Sequence, residues 1–137
     1  MIPSMIPGIK QKRFITRYRF EKDMSRPGRS LQCVKVGEVY ITRLEISPAK
    51  LIGNLYYKQT NLIFFVEIGK IKLKCVQMNT KERGEMTIGP GDGIIHIPPY
   101  VGMAMKNVSK KKAVLIMLSN KPLRSDDEYE YEVYKQE

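Results

Sequence analysis

The sequence predicts an all-β domain, a sandwich or a barrel, on three observations. From Leu31 onward, short β-type segments alternate with breaks every several residues. The run Lys70-Ile71-Lys72-Leu73-Lys74-Cys75 repeats with a period of two, which sets Ile71, Leu73 and Cys75 on one face of a strand and three lysines on the other. No stretch carries a convincing helical spacing of apolar residues.

Taken in order, residues 1–29 form a basic N-terminal arm and residues 30–137 the β domain, which ends in an acidic strand. The arm opens with two proline-containing segments. It then interleaves Lys10, Lys12, Arg13, Arg17 and Arg19 with Phe14, Ile15, Tyr18 and Phe20, and closes on Arg26-Pro27-Gly28-Arg29, a chain breaker. Phe14 to Phe20 can form one strand. Within the domain, the expected strands are Leu31 to Val36, Glu38 to Glu45, Leu51 to Tyr57, Leu62 to Glu67 and Lys70 to Gln77. They continue with Glu85 to Ile88, Ile94 to Ile97, Met103 to Asn107, Ala113 to Ser119 and Tyr129 to Tyr134. Ile68-Gly69-Lys70 joins two of them tightly, Gly89-Pro90-Gly91-Asp92-Gly93 is a turn that needs glycine dihedrals, and Asn107 to Lys112 is a polar loop. Lys110, Lys111 and Lys112 read most simply as solvated, with phosphate contact as the alternative. In the last strand, alternation sets Tyr129, Tyr131 and Val133 on one face and Glu128, Glu130, Glu132 and Tyr134 on the other.

At 137 residues the chain fits one domain. Its net charge of +10 is uneven, since residues 121–137 carry 3 basic and 6 acidic side chains while the rest is basic. Such a field attracts phosphates, nucleic acid or acidic surfaces without specifying a fold. Cys33 and Cys75 are too few for a disulfide framework and lack zinc-ligand spacing, so both are expected to be reduced and packed. Apolar runs such as Leu62 to Val66 and Ala113 to Leu118 are far short of the roughly 20 residues that cross a bilayer, and the N-terminus does not follow a basic segment with an apolar one. A soluble cytoplasmic protein with no membrane partner is therefore expected.

The stretch from Gly53 to Asn107 resembles the paired motifs of the cupins, whose fold is a double-stranded β-helix, the jelly-roll barrel. The match is to the C-terminal cupin domain of capsular-polysaccharide UDP-sugar reductases and to dTDP-4-dehydrorhamnose 3,5-epimerase-like proteins. Pro48, Gly53-Asn54, Asn61 and Gly69 keep the spacing of the first motif, and Ile97-Pro98-Pro99-Tyr100-Val101-Gly102-Met103-Ala104-Met105-Lys106-Asn107 follows the second. The resemblance covers roughly residues 45–134. It places Leu55 and Tyr57 where the family carries two histidines, Leu62 at its glutamate and Met103 at its third histidine. A divalent ion needs lone pairs converging at about 2.0 to 2.2 Å, so this set implies no metal and no other cofactor. The epimerase-like base is replaced as well, because its position is again Leu55.

What remains supports several readings. Leu55, Tyr57, Leu62 and Met103 either line a ligand pocket, with Lys58 beside it, or fill the lumen as core. An occupant would be an anionic carbohydrate or a nucleotide sugar, as the resemblance implies. His96 is the only imidazole, and so the one side chain suited to proton transfer at neutral pH; with a tyrosine it could serve a metal-free sugar-nucleotide epimerase or isomerase, or it is structural. Glu67, Glu82 and Glu85 show no pairing for acid-base work. The leading expectation is a metal-independent, non-catalytic cupin related to sugar-nucleotide and polysaccharide biosynthesis proteins. It would be a homodimer in which the arm adds an edge strand or crosses to the partner. The alternative for the arm is nucleic-acid binding, with rings stacking on bases and Arg and Lys meeting phosphates.

Overall fold

The computed structural model describes residues 14–22, 27–123 and 126–135. Eleven strands and no helix occur among them: β1 (Glu21–Lys22), β2 (Arg29–Val36), β3 (Val39–Ile46), β4 (Leu51–Tyr57), β5 (Leu62–Ile68), β6 (Ile71–Gln77), β7 (Arg83–Ile88), β8 (Ile95–Ile97), β9 (Val101–Asn107), β10 (Ala113–Ser119) and β11 (Glu128–Glu130). They form two antiparallel sheets, one in the order β1-β2-β3-β10-β5-β8 and the other β11-β4-β9-β6-β7. Because β4 and β9 lie in one sheet while β5 and β10 lie in the other, the chain crosses repeatedly between layers, as a jelly roll does. The absence of helices among the described residues also means that none is long and apolar enough to cross a membrane.

Strand alternation builds the core. Leu31, Leu44, Ile46, Leu62, Phe64, Val66, Leu115 and Met117 point inward from the six-stranded sheet and meet Ile71, Leu73, Met103 and Met105 from the five-stranded one. Phe64, Ile46 and Leu115 are fully buried, and each such side chain contributes about 1.5 to 3 kcal/mol through its removal from water. The period-two run behaves as expected at Ile71 and Leu73. Cys75 faces the core too but stays half-buried, because its register partner Gly84 has no side chain to cover it. Burial pushes its thiol up to about 11, so it is protonated at neutral pH.

Two expected strands differ. Phe14 to Phe20 is exposed and takes no strand assignment; the arm's strand is confined to Glu21 and Lys22, which pair with Cys33 and Gln32 at the sheet edge. The last strand ends at Glu130 instead of Tyr134, because Asn54 captures the following backbone. The Tyr131 amide donates to the Asn54 carbonyl, and the Val133 and Tyr134 amides donate to Asn54 Oδ1. The segment thereby bends across the outer face of the five-stranded sheet. There Val133 packs with Val76 and Ala104, and Tyr134 joins the same cluster instead of facing away.

Both motif glycines earn their places sterically. Gly53 has a φ of 101°, and a Cβ on it would lie 2.8 Å from the Ala104 Cα and the Met103 carbonyl oxygen; Gly69 has a φ of 89° and would meet Ala113 at 2.9 Å. Asn107 is buried and closes the loop after β9 by donating to the Ile46 and Lys111 carbonyls while accepting from the Ser109 amide. Gly53→Ala should cost at least about 2 kcal/mol in urea unfolding, since backbone must move. Gly37→Ala, at positive φ but with nothing within 4 Å, should cost about 1 kcal/mol.

Candidate functional site

The lumen is built where β4 and β9 approach. Their register runs Ile52 with Met105 and Gly53 with Ala104, then slips so that Leu55 meets Met103. The slip is a bulge at Gly53 and Asn54, both left-handed, with φ of 101° and 58°. By absorbing one residue it returns Leu55 and Tyr57 to the inner face beside Ile52. Leu55, Tyr57, Leu62 and Met103, from three strands across both sheets, then line one cavity with Leu31, Leu44, Met117 and Leu123.

The cavity holds about 50 Å³. That is room for a few waters at most, against the roughly 300 to 1,000 Å³ of ordinary ligand pockets. Tyr57, Leu62 and Met103 are buried as core residues are. As a donor set for a divalent ion these residues do not fit: the leucines offer no lone pair, and Met103 offers only a weak thioether. Among the described residues no group of three or more His, Cys, Asp or Glu is placed to hold a metal ion.

Two lining residues, Arg29 and Glu128, were not anticipated from the sequence. Arg29 opens β2 and shares the inward parity of Leu31; Glu128 opens β11 opposite Tyr57. Arg29 had read as part of a chain breaker, and only its two-residue spacing from Leu31 marked it as inward. Burial pushes the Tyr57 hydroxyl well above its ordinary value. Glu128 raises it further, Arg29 opposes, and Asp127 adds a smaller push upward. Tyr57 is therefore a hydrogen-bond donor at neutral pH and not a base.

His96 lies elsewhere. It pairs with Ile63 on the outer face of the six-stranded sheet, is exposed, and its Nε2 sits 3.1 Å from Asn61 Oδ1. It does not line the cavity, so Tyr57 is not the tyrosine with which this imidazole could act. Lys58 is outside the lumen as well, with its ammonium 4.3 Å from the centre of the Tyr129 ring, which in turn stacks on Tyr56. Of the basic arm residues, Arg17 and Arg19 are exposed on a segment without regular secondary structure. Lys10, Lys12 and Arg13 lie outside the described residues.

Asp127 anchors the mouth of the barrel. Its carboxylate accepts from the Lys58, Gln59 and Thr60 amides and from the Thr60 hydroxyl. Nothing in the local sequence marks it, because its partners lie 67 or more residues away.

The whole arrangement can be compared with known structures. CapF from Staphylococcus aureus, a capsular polysaccharide assembling protein, matches 85% of this chain with a TM-score of 0.75 at 20% identity. An oxalate decarboxylase of B. subtilis matches 81% with a TM-score of 0.67 at 13% identity. The chain has the cupin fold. It spans about a third of the length of each of those proteins, 33% and 30%. Drosophila melanogaster CENP-C, solved bound to CAL1, shares the fold over 73% of this chain and 76% of its own, with a TM-score of 0.61 at 14% identity. No family model matches the sequence, and no curated protein does.

The Asp127 contacts imply a pH dependence for this cupin barrel. Burial alone would push the carboxyl up, yet the hydrogen bonds from Thr60, Gln59 and Lys58 outweigh it and hold it below the usual carboxylate range. A depressed folded-state value contributes stability that is fully present above the unfolded value of about 4 and is lost as pH falls through the folded one. Asp127→Asn should therefore lower stability at pH 7 and flatten the acid limb of the stability curve below about pH 4, measured by urea unfolding at a series of pH values.

Proposed function

We propose that this chain is a metal-independent, non-catalytic cupin domain that works by binding, in a setting related to sugar-nucleotide and polysaccharide biosynthesis. The observation that carries this is the convergence of Leu55, Tyr57, Leu62 and Met103 around a cavity of only about 50 Å³. Those are the positions at which the resembling cupins hold a metal ion. Here they supply a closed apolar lining, one phenolic hydroxyl, and no base. Similarity in fold to CapF supports the polysaccharide setting.

A carbohydrate or nucleotide sugar is too large for this lumen as it stands. An anionic ligand of that class would instead meet the mouth, where the Arg29 guanidinium stands near the Tyr57 hydroxyl. Glu128 at the same rim disfavours a highly charged ligand, so a singly charged sugar acid fits better than a diphosphate. A metal-free epimerase that uses His96 is disfavoured, because His96 stands on the outer face of the six-stranded sheet, away from the cavity. A second reading, nucleic-acid binding by the arm, is favoured by the exposure of Arg17, Tyr18, Arg19 and Phe20 on one segment without regular secondary structure.

Three measurements test these readings. Protein purified without chelator should contain far less than one equivalent of Fe, Mn, Ni or Zn by elemental analysis, and a stoichiometric ion removed by Tyr57→Phe or Met103→Leu would overturn the proposal. In a thermal-shift screen, uronic acids should stabilise the wild type more than nucleotide sugars do and more than they stabilise Arg29→Gln, and equal shifts in wild type and variant exclude binding at the mouth. For the arm, Arg17→Glu with Arg19→Glu should abolish binding to single-stranded nucleic acid and its salt dependence; unchanged binding excludes that role.

A further inference from the structure

A second recess, of about 310 Å³, opens on the outer face of the five-stranded sheet and is lined by Lys74, Cys75, Arg83, Gly84, Glu85 and Val133. That volume falls within the roughly 300 to 1,000 Å³ of ordinary ligand pockets, where the lumen does not. Its floor is the pair β6 and β7 at the edge of the sheet, in the register Lys74 with Glu85, Cys75 with Gly84 and Val76 with Arg83. Alternation from the buried Ile71 and Leu73 turns Lys74 outward, and cross-strand pairing puts Glu85 and Arg83 on the same side. The wall is the returning tail, where Val133 packs on Val76 and Ala104. A flat sheet edge thereby becomes a cleft.

The polar groups of this cleft are held in place. Arg83 donates from Nη1 to the Val133 carbonyl at 3.2 Å, and among the described residues no carboxylate pairs with it. A guanidinium carries five N–H donors in one plane, so Arg83 keeps donors for a ligand. The Lys74 ammonium sits 4.1 Å from the centre of the Tyr134 ring and 3.9 Å from Glu85 Oε2. The ring fixes this cation at the cleft, and the long ion pair leaves it able to take a closer partner. Glu85, whose side chain is 57% exposed, adds an acceptor. Lys72 and Lys106, paired in register, extend the same face; the β6–β7 connection adds Lys81 and Glu82, and the tail adds Glu132 and Lys135. Cations thus outnumber acids both in the lining and around it, a field that draws in an anion.

A bare anion would use the two cations but meet Glu85 in the same recess, where like charges repel. A ligand that carries hydroxyl groups beside its oxyanion uses all three side chains, because a hydroxyl donates to the carboxylate while the oxyanion accepts from the guanidinium and the ammonium. A monosaccharide with one carboxylate or one phosphate has that chemistry. We infer that the cleft between β6, β7 and the returning tail is a binding site for a sugar acid or sugar phosphate, with Arg83 and Lys74 on its oxyanion and Glu85 on a hydroxyl. The cleft shares no lining residue with the lumen or its mouth, so it stands or falls independently of what Arg29 binds.

The test is an NMR titration of the full, isotope-labelled chain with glucuronate, glucose 6-phosphate, neutral glucose and inorganic phosphate at one ionic strength. At least one of the two sugar anions should shift the amides of Arg83, Gly84, Glu85 and Val133 saturably, and the tighter of them tells carboxylate from phosphate. Glucose and inorganic phosphate should each bind about tenfold more weakly or worse, and raised salt should weaken the sugar anion. Lys74→Gln should cost about tenfold in affinity. Because Lys74 and Arg83 also touch the tail, Glu85→Gln, which leaves both tail contacts in place, is the second variant. It should keep the wild-type circular dichroism spectrum and lose the preference for the sugar anion over inorganic phosphate. Arg29→Gln should leave the titration unchanged. Three results overturn the inference: no saturable shift at those amides, inorganic phosphate matching both sugar anions in the wild type, or shifts that survive Lys74→Gln and vanish in Arg29→Gln, which would place the ligand at the mouth.

Discussion

The bulge at Gly53 and Asn54 is the constraint on which the rest of this barrel depends. Two consecutive left-handed residues let β4 take up one extra residue against β9. The close approach to Ala104 and Met103 excludes any side chain at Gly53. One consequence points inward, because Leu55 and Tyr57 regain the lumen face. The other points outward, because Asn54 in this conformation offers its carbonyl and both ends of its amide to the last segment, donating to the Tyr134 carbonyl as well as accepting. A single local distortion therefore sets both the lumen and the cover of one sheet.

The lumen is lined by leucine, methionine and one tyrosine instead of a cluster of ionisable side chains. A cluster of imidazoles and a carboxylate inside a barrel is tolerable only while an ion satisfies it, since unpaired buried polar groups are costly. Leucine and methionine at those places remove the requirement and let the interior close as ordinary core. Tyr57 keeps a polar tip, and the groups that shape its environment, Glu128 and Arg29, sit at the first residues of β11 and β2. The charged groups of the site thus stand at strand ends, while its centre is apolar.

The outer surfaces follow a related logic. Lys74 on β6 and Lys81 in the β6–β7 connection lie over tyrosines of the returning segment, 4.1 Å from the Tyr134 ring and 4.8 Å from that of Tyr131. Such contacts fasten the tail and keep that face cationic. The six-stranded sheet has no such cover among the described residues, and Ile63 and Phe65 on its outer face stay partly exposed.

Much of the fold was legible because it is written in local terms. Period-two alternation at Ile71 and Leu73, turn chemistry at Gly69, and the motif spacing of Gly53-Asn54, Pro98-Pro99 and Asn107 all act through neighbouring residues, so the sequence by itself determined an all-β jelly roll. The tertiary structure alone decided which side of β8 His96 occupies, that Arg29 and Glu128 reach the cavity mouth, and that Asp127 clasps Lys58 to Thr60. It also decided that the lumen is nearly closed. Those outcomes depend on contacts between residues tens of positions apart and on the volume left when two sheets pack, and neither quantity is encoded in the alternation of any one strand.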